Sequence, residues 1–181
     1  MEQNRQSLWY FFAEAVARYP SARAIWSRAG EYAWRETHDQ ACRYAQYFLS
    51  VGVRPGQLVA FYLQNSPEFM FAWLGLWAIG CAPAFINYNL NGEALLHCLR
   101  VSGASVLLAD AEDGCQARIQ EVGDMISRGE LGMDVRVLTE ELKREISSFK
   151  AEVPGHEYRA GVKGDFPMCL LYTRHVKIAE I

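Results

Sequence analysis

The sequence predicts an α/β fold, a doubly wound and mainly parallel sheet with helices on both faces. Nearly continuous apolar runs at 58–63, 82–87 and 105–109 are typical of strands buried on both sides. The segments between these runs carry apolar residues at helical spacing, and right-handed crossovers would place such helices on both faces of the sheet. With 181 residues, 51% of them hydrophobic, the chain can bury one domain-sized core.

The first third of the chain predicts a helix, a strand pair and a second helix. The predicted elements are a helix at 8–19 ending before Pro20, and strands at 24–26 and 32–35 joined by a turn at 28–31. Thr37 and Gln40 have the spacing of a capping box, so the second helix is expected to begin there. Its apolar face includes Tyr44 and Phe48, and Gly52 is expected to end it.

The remaining two thirds alternate between strands and helices. The predicted strands are 58–63, 82–87, 105–109, 135–138 and 168–173, and the predicted helices are 67–79, 91–101, a weaker 115–128 and 140–149. A loop with several Gly and Pro residues spans 151–165. In such sheets ligands bind at the carboxyl ends of the strands, which draws attention to Thr173 after the last strand.

The stretch between Glu68 and Glu93 contains no charged residue and has two interpretations. Ser66 and Pro67 are typical of a helix start, and Gly80 of a helix stop, so a buried helix followed by a strand is favoured. A helix of about thirteen residues is too short for a bilayer. A membrane-inserted segment remains the alternative.

Composition excludes several classes of function. A net charge of −3 with interspersed acids and bases gives no footprint for nucleic acid. The five cysteines and four histidines are scattered and show no metal-binding spacing, so the cysteines are interpreted as reduced core thiols. The polar N-terminus does not resemble a secretory signal. No catalytic residue and no metal ligand is assigned.

Four groups of side chains are candidate sites, and for each the ordinary structural role is favoured. His97 and Cys98 are neighbours on a helix, so their side chains diverge by about 100°. Trp73 and Trp77 are interpreted as core packing, with a contact to an acyl chain or a membrane as the alternative. Asn87 and Asn89 are interpreted as turn residues. The acidic loop of Asp110, Glu112 and Asp113 is interpreted as solvated surface.

Residues 52–110 resemble the N-terminal part of adenylate-forming acyl-CoA synthetases. The motifs are GVRPG before a strand, NSPEF opening a helix, and NLNGEALLHC at 89–98, which resembles most closely the very-long-chain acyl-CoA synthetase and fatty-acid transport protein group. The resemblance extends from about Trp9 to Thr173. It implies a partial N-terminal domain of the adenylate-forming fold.

The resemblance implies that Tyr172 and Thr173 are the entry to the family's ATP phosphate loop. That loop continues with glycines and hydroxyl residues, whereas this sequence continues Arg174-His175-Val176-Lys177-Ile178. β-Branched residues resist the backbone angles of such a loop, which glycine adopts readily. We therefore expect residues 1–173 to be an incomplete AMP-binding domain, truncated at the phosphate loop, and 174–181 a tail foreign to the family.

The activity implied by the resemblance is ATP-dependent conversion of long or very-long-chain fatty acids to acyl-CoA through an acyl-adenylate. ATP, Mg²⁺ and coenzyme A are the implied cofactors of the family, and we expect this chain to bind none of them alone. An intracellular protein is expected, at the periphery of the endoplasmic reticulum, peroxisome or lipid droplet. The alternative is a non-catalytic regulatory or interaction isoform that associates with full-length synthetase or with a membrane.

Overall fold

The computed structural model describes residues 7–172 and confirms the alternating α/β order. Its helices are α1 (Leu8–Arg18), α2 (Trp34–Ser50), α3 (Pro67–Ala78), α4 (Gly92–Ser102), α5 (Asp113–Glu121), α6 (Gly123–Ser127) and α7 (Glu140–Ser148). Its strands are β1 (Arg23–Ser27), β2 (Gly30–Ala33), β3 (Leu58–Tyr62), β4 (Ala82–Phe85), β5 (Val106–Asp110), β6 (Asp134–Leu138) and β7 (Leu170–Leu171). A 3₁₀ turn at His156–Tyr158 lies before β7.

Strands β3 to β7 form one parallel sheet in the order β6-β5-β3-β4-β7. The chain moves outward from β3 to β4, returns across β3 to β5 and β6, and then crosses back to β7. The predicted doubly wound, mainly parallel sheet is therefore confirmed. Strands β1 and β2 form a separate antiparallel hairpin whose two-residue loop is closed by Gly30 at φ 146°.

Each face of the parallel sheet has its own hydrophobic core. Along β3, Val59 and Phe61 pack with α1, α2, α3 and α7, whereas Ala60 and Tyr62 pack with α4, α5 and α6. This alternation follows from the two-residue period of a strand. Helices α2 and α3 approach closely at Gly75, where a Cβ would lie 2.8 Å from the carbonyl oxygen of Ala41.

The start of α2 differs from the prediction. The helix begins at Trp34, directly after the hairpin, and the Ala33 amide donates to the Glu36 carboxylate at 2.8 Å. The predicted capping box of Thr37 and Gln40 is therefore wrong. Thr37 lies within the first turns of the helix, is 1% exposed, and its hydroxyl has no hydrogen-bond partner in the described part of the chain.

The weak helix and the last strand also differ from the prediction. The weak helix at 115–128 is interrupted at Val122 and forms α5 and α6, with Gly123 opening the second. Strand β7 pairs through Leu170 and Leu171, fewer residues than the predicted 168–173. The apolar sequence of that segment indicated a buried strand, but its outer side has no neighbouring strand among residues 7–172.

The charge-free stretch forms α3 and then β4, as the favoured interpretation predicted. Ser66 caps α3 by accepting from the Phe69 amide at 3.2 Å, and Gly80 adopts φ 70° in the turn that follows. Over residues 7–172, no helix is both long enough and apolar enough to cross a bilayer.

Candidate functional site

The carboxyl ends of β3 and β5 form the centre of the candidate site. In the sheet, β4 lies on one side of β3 and β5 lies on the other side. In open α/β sheets this reversal leaves a crevice in which ligands bind. Gln64 follows β3 at this position, and Asp110 ends β5 beside it.

A connected set of polar side chains occupies this edge. The Asp110 carboxylate accepts from the Gln64 amide at 3.2 Å and from the Glu112 amide at 3.1 Å. The Gln64 side-chain amide donates to the Tyr88 hydroxyl at 2.9 Å, and that hydroxyl donates to the Glu112 carboxylate. Glu112 also caps α5 by accepting from the Cys115 amide at 2.9 Å. Both carboxylates are therefore committed to bonds within the protein.

Arg118 of α5 reaches back to the same edge. Its guanidinium carbon lies 4.8 Å from the ring centre of Tyr88 and 5.8 Å from that of Tyr62. Its Nε donates to the Tyr62 hydroxyl at 2.7 Å, and this bond raises the pKa of Arg118. The buried Nη2 has no hydrogen-bond partner within residues 7–172. Arg118 therefore links α5 to Tyr62 at the end of β3, and its Nη2 remains a donor without a partner within residues 7–172.

The hydrogen bond between Tyr88 and Glu112 raises the pKa of the phenol that donates it and lowers the pKa of the carboxylate that accepts it. Burial, together with the Glu112 carboxylate, raises the pKa of the Tyr88 phenol. Donation from Tyr88 lowers the pKa of Glu112, assisted by the backbone amides of Gly114 and Cys115. At neutral pH the pair is thus a neutral phenol and an ionised carboxylate, which is a stable arrangement without a labile proton.

Tyr172 lies directly after β7, and its side chain points toward α4. The Tyr172 hydroxyl donates to the Cys98 carbonyl oxygen at 2.9 Å, and burial raises the Tyr172 pKa to about 12. This side chain anchors the end of β7 to the helix layer. Thr173 lies outside the described residues, as do Arg174 and Lys177. The assignment of Tyr172 and Thr173 to a phosphate-loop entry stays a prediction.

The segment from 149 to 172, which we call the strap, is held to helices α1, α3 and α4 by side-chain hydrogen bonds. Arg159 is 4% exposed, and its Nη1 donates to the carbonyl oxygens of Ala78 and Pro154. Its guanidinium lies 5.4 Å from the ring centre of Tyr10, whose hydroxyl bonds to His156. The strap therefore connects α1 to the end of α3 and positions β7.

Trp73 and Trp77 hold the last part of the strap. Their indole Nε1 groups donate to the Met168 carbonyl oxygen at 3.3 and 3.0 Å, and their ring centres are 5.4 Å apart. Trp73 also packs edge-on against Phe85 at 4.8 Å. The pair is half-buried, so the core-packing interpretation holds, with a polar role at Met168 that the sequence did not indicate.

The other sequence candidates take ordinary structural positions. His97 is exposed while Cys98 is buried beneath α4, so the two do not form a dyad. The Asn87 side chain accepts from the Asn89 amide at 3.0 Å, the turn role that was favoured. Asn91 stands at the start of α4, but its side chain makes no capping bond. In the described region, no group of three or more His, Cys, Asp or Glu residues could hold a metal ion.

Sequence reasoning missed Arg118, Tyr62, Tyr88 and Arg159. Both tyrosines sit at or beyond strand ends, which is a usable signal. Arg118 stands on a weakly periodic helix and Arg159 in a Gly- and Pro-containing loop, where an arginine normally indicates solvent exposure. Only their tertiary contacts distinguish them from surface residues.

Comparison with known proteins places this geometry in a family. The profile described as AMP-binding enzyme matches residues 12–173. Isopenicillin N epimerase component 1 of Hapsidospora chrysogena is 48% identical over 127 residues, which are 70% of this chain and 21% of that protein. Long-chain fatty acid transport protein 1 of Rattus norvegicus is 30% identical over 194 residues, covering 93% of this chain and 29% of that protein.

Among solved structures, a fatty acyl CoA synthetase of Mycobacterium tuberculosis is similar with a TM-score of 0.81. The match covers 95% of this chain and 33% of that one, at 19% sequence identity. At that identity the likeness shows the fold alone. The chain spans about a fifth to a third of the length of these relatives.

Proposed function

The chain belongs to the AMP-binding enzyme family, and on that premise we propose that it supplies the first section of an ATP-dependent acid–thiol ligase. In this proposal the parallel sheet positions the nucleotide-binding segments of the whole protein. The observation that carries the proposal is the family match over 12–173, which includes all five strands of the parallel sheet, the last of them β7 at Leu170–Leu171.

Long-chain or very-long-chain fatty acids are the proposed substrates of the whole protein, and coenzyme A the acceptor of the acyl group. The support is the similarity to a long-chain fatty acid transport protein over 93% of this chain. A second candidate substrate is isopenicillin N or a related acid. It is favoured by the 48% identity to isopenicillin N epimerase component 1.

The described residues do not by themselves fit a triphosphate with its magnesium ion. The Tyr172 hydroxyl is bonded to Cys98, and the carboxylates of Asp110 and Glu112 are bonded to backbone amides and Tyr88. The residues after Thr173 lack the glycines that turn backbone amides toward phosphates. We therefore propose that the 181-residue polypeptide alone forms no acyl-adenylate.

Adenylate formation and ATP binding by the 181-residue chain test this proposal. We expect calorimetric titration with ATP and Mg²⁺ to give no binding at millimolar concentration, and hexadecanoate to give no pyrophosphate release. A chimaera that keeps residues 1–172 and takes everything after them from the rat transport protein should convert hexadecanoate. Activity of the unaided chain would contradict the proposed inactivity. Conversion of isopenicillin N but not hexadecanoate by the matching Hapsidospora chimaera would favour the second substrate.

A non-catalytic interaction role is the second candidate function, and the outer edge of β7 favours it. Leu171 is 66% exposed and no strand in the described region pairs with that edge. An open strand edge can accept a strand from another chain. Co-purification with a full-length fatty acyl-CoA synthetase that is lost in Leu171→Pro would support this role. Fractionation of cells would test the proposed intracellular, membrane-peripheral location.

A further inference from the structure

Helix α1 contacts the strap at Arg159 and, through Trp77, at Met168. The Arg159 Nε donates to the Tyr10 hydroxyl at 3.4 Å, and the guanidinium carbon lies 5.4 Å from the centre of the Tyr10 ring. Ser7, the N-cap of α1, donates to the Trp77 carbonyl oxygen at 3.4 Å, and the Trp77 indole in turn donates to Met168. One helix therefore touches the groups that hold the strap in two places.

Arg159 is the only charged side chain that is buried among residues 7–172. Its Nη1 donates to the carbonyl oxygens of Ala78 and Pro154, and Tyr10 supplies an acceptor oxygen and a ring face. No carboxylate is among its partners in that part of the chain. A buried cation without a counter-charge is unfavourable unless several dipoles stabilise it, whereas water would solvate the same guanidinium fully. The buried position is therefore favoured only while these contacts remain.

The closed strap depends on the buried position of Arg159. Tyr158, the preceding residue, lies so close to the turn after α3 that a Cβ at Gly80 would overlap its carbonyl oxygen. Movement of Arg159 into solvent would draw Tyr158 away from this turn. Further along the strap, β7 pairs with β4 through two residues only. So few strand bonds are insufficient to hold β7 once the strap before it is released.

We propose that α1 holds the strap closed through Arg159, so that undocking of α1 moves Arg159 into solvent and releases the strap together with β7. Arg159 thus has two positions, one buried with the strap closed and one hydrated with the strap open. Release leaves β4 as the outer strand of the sheet, since β7 is its partner on that side. This conformational switch goes beyond the proposed function, because it requires neither a nucleotide nor a fatty acid.

Hydrogen exchange of the 181-residue chain, followed by mass spectrometry, tests the proposal. Tyr10→Leu removes the ring and the hydroxyl, and we expect the amides at 154–171 to exchange about 20-fold faster. Tyr10→Phe keeps the ring and should accelerate them about fivefold. Phe11→Leu is the matched control. It changes the neighbouring aromatic residue of α1, which is 66% exposed, and should alter exchange at 154–171 by less than about twofold.

A double-mutant cycle identifies Arg159 as the link between α1 and the strap. In the Arg159→Met background, Tyr10→Leu should accelerate exchange at 154–171 by less than about twofold, because the contact that it removes is already absent. Coupling between two sites is reciprocal, so Arg159→Met should also accelerate exchange of the α1 amides at 12–18, by about tenfold. A purely local role of Arg159 in the strap would leave α1 unchanged.

Three results would overturn the proposal. One is an equal acceleration by Tyr10→Leu in the parent chain and in Arg159→Met, which would make the two side chains independent. Another is unchanged exchange of α1 in Arg159→Met. The third is unchanged exchange at 154–171 in Tyr10→Phe, a variant that decides the question even if Tyr10→Leu does not fold.

Discussion

The central strands and the last strand of the sheet are held in place by different forces. β3 and β5 are flanked by strands on both sides and by helices on both faces, so nearly every side chain on them is buried. β7 pairs through two residues on one side and depends on the strap. Arg159 and Tyr172 of the strap donate to backbone carbonyls of α3 and α4, and the Met168 carbonyl of the strap accepts from Trp73 and Trp77. Hydrophobic burial thus determines the centre, and directional hydrogen bonds determine the edge.

A matched pair of leucines should show the largest difference between the two regions. Leu107 of β5 is 0% exposed, so Leu107→Ala should lower the free energy of unfolding by about 2 to 5 kcal/mol. Leu171→Ala on β7 removes the same atoms from an exposed position and should lower it by less than about 0.5 kcal/mol. Urea unfolding followed by circular dichroism measures both. Similar losses would mean that β7 is buried in solution.

Removal of the buried guanidinium should loosen the strap more than the centre. Arg159→Met keeps most of the packing but leaves the carbonyls of Ala78 and Pro154 without their donor, so we expect a loss of about 2 to 3 kcal/mol. The exposed Arg128→Met is the control and should lose less than about 0.5 kcal/mol. Hydrogen exchange should accelerate first in 151–172. Uniform acceleration along β3 and β5 would contradict a separate strap.

The tryptophan donors should have a smaller and local effect. The double variant Trp73→Phe, Trp77→Phe leaves the Met168 carbonyl without either indole donor. We expect it to lower the free energy of unfolding by about 1 to 2 kcal/mol. Trp26→Phe, at an exposed position, is the control. Amide exchange at 168–171 is the measurement. No change there would show that β7 is held by its strand pairing instead.

The smallest expected effect is a dependence on alkaline pH. The Tyr172 pKa is raised from an ordinary value near 10 to about 12 in the folded chain, because burial disfavours the phenolate. Its contribution to stability is complete below about pH 10 and is lost as the pH rises toward 12. Tyr172→Phe should therefore flatten that part of the stability curve relative to the parent chain. An unchanged slope would place the Tyr172 phenol in solvent.

Much of the fold could be predicted because its signals are local. The alternation of buried strands and amphipathic helices follows from residue periodicity, and Ser66, Pro67 and Gly80 bound α3 through capping and turn geometry. Where two local signals competed, the prediction failed. Thr37 has the sequence of a cap, but the hairpin ends at Ala33 and α2 begins immediately afterwards. The Glu36 carboxylate then accepts a hydrogen bond from the Ala33 backbone amide.

The candidate site was much less predictable than the fold. Asp110 and Asn87 were noticed because polar residues at strand ends are a sequence feature. The partners that define their environment come from other elements: Arg118 reaches from α5 to Tyr62 and Tyr88. Such contacts depend on how helices cross the sheet, a property that no short window of sequence contains. The assignment of Tyr172 and Thr173 to the phosphate-loop entry stays a prediction, since Thr173 lies outside the described residues.

The amino-acid sequence alone determined the parallel α/β order, the two apolar faces of each central strand and the family resemblance. All three depend on periodicity and short motifs, which are properties of residues close together in the chain. Only the tertiary structure decided where the isolated polar groups go. It buried Arg159 against the end of α3, paired two indoles with one carbonyl, and buried the Thr37 hydroxyl without a hydrogen-bond partner among residues 7–172. The physical reason is that hydrogen bonds between distant segments depend on distances set by packing, whereas burial patterns repeat along the chain itself.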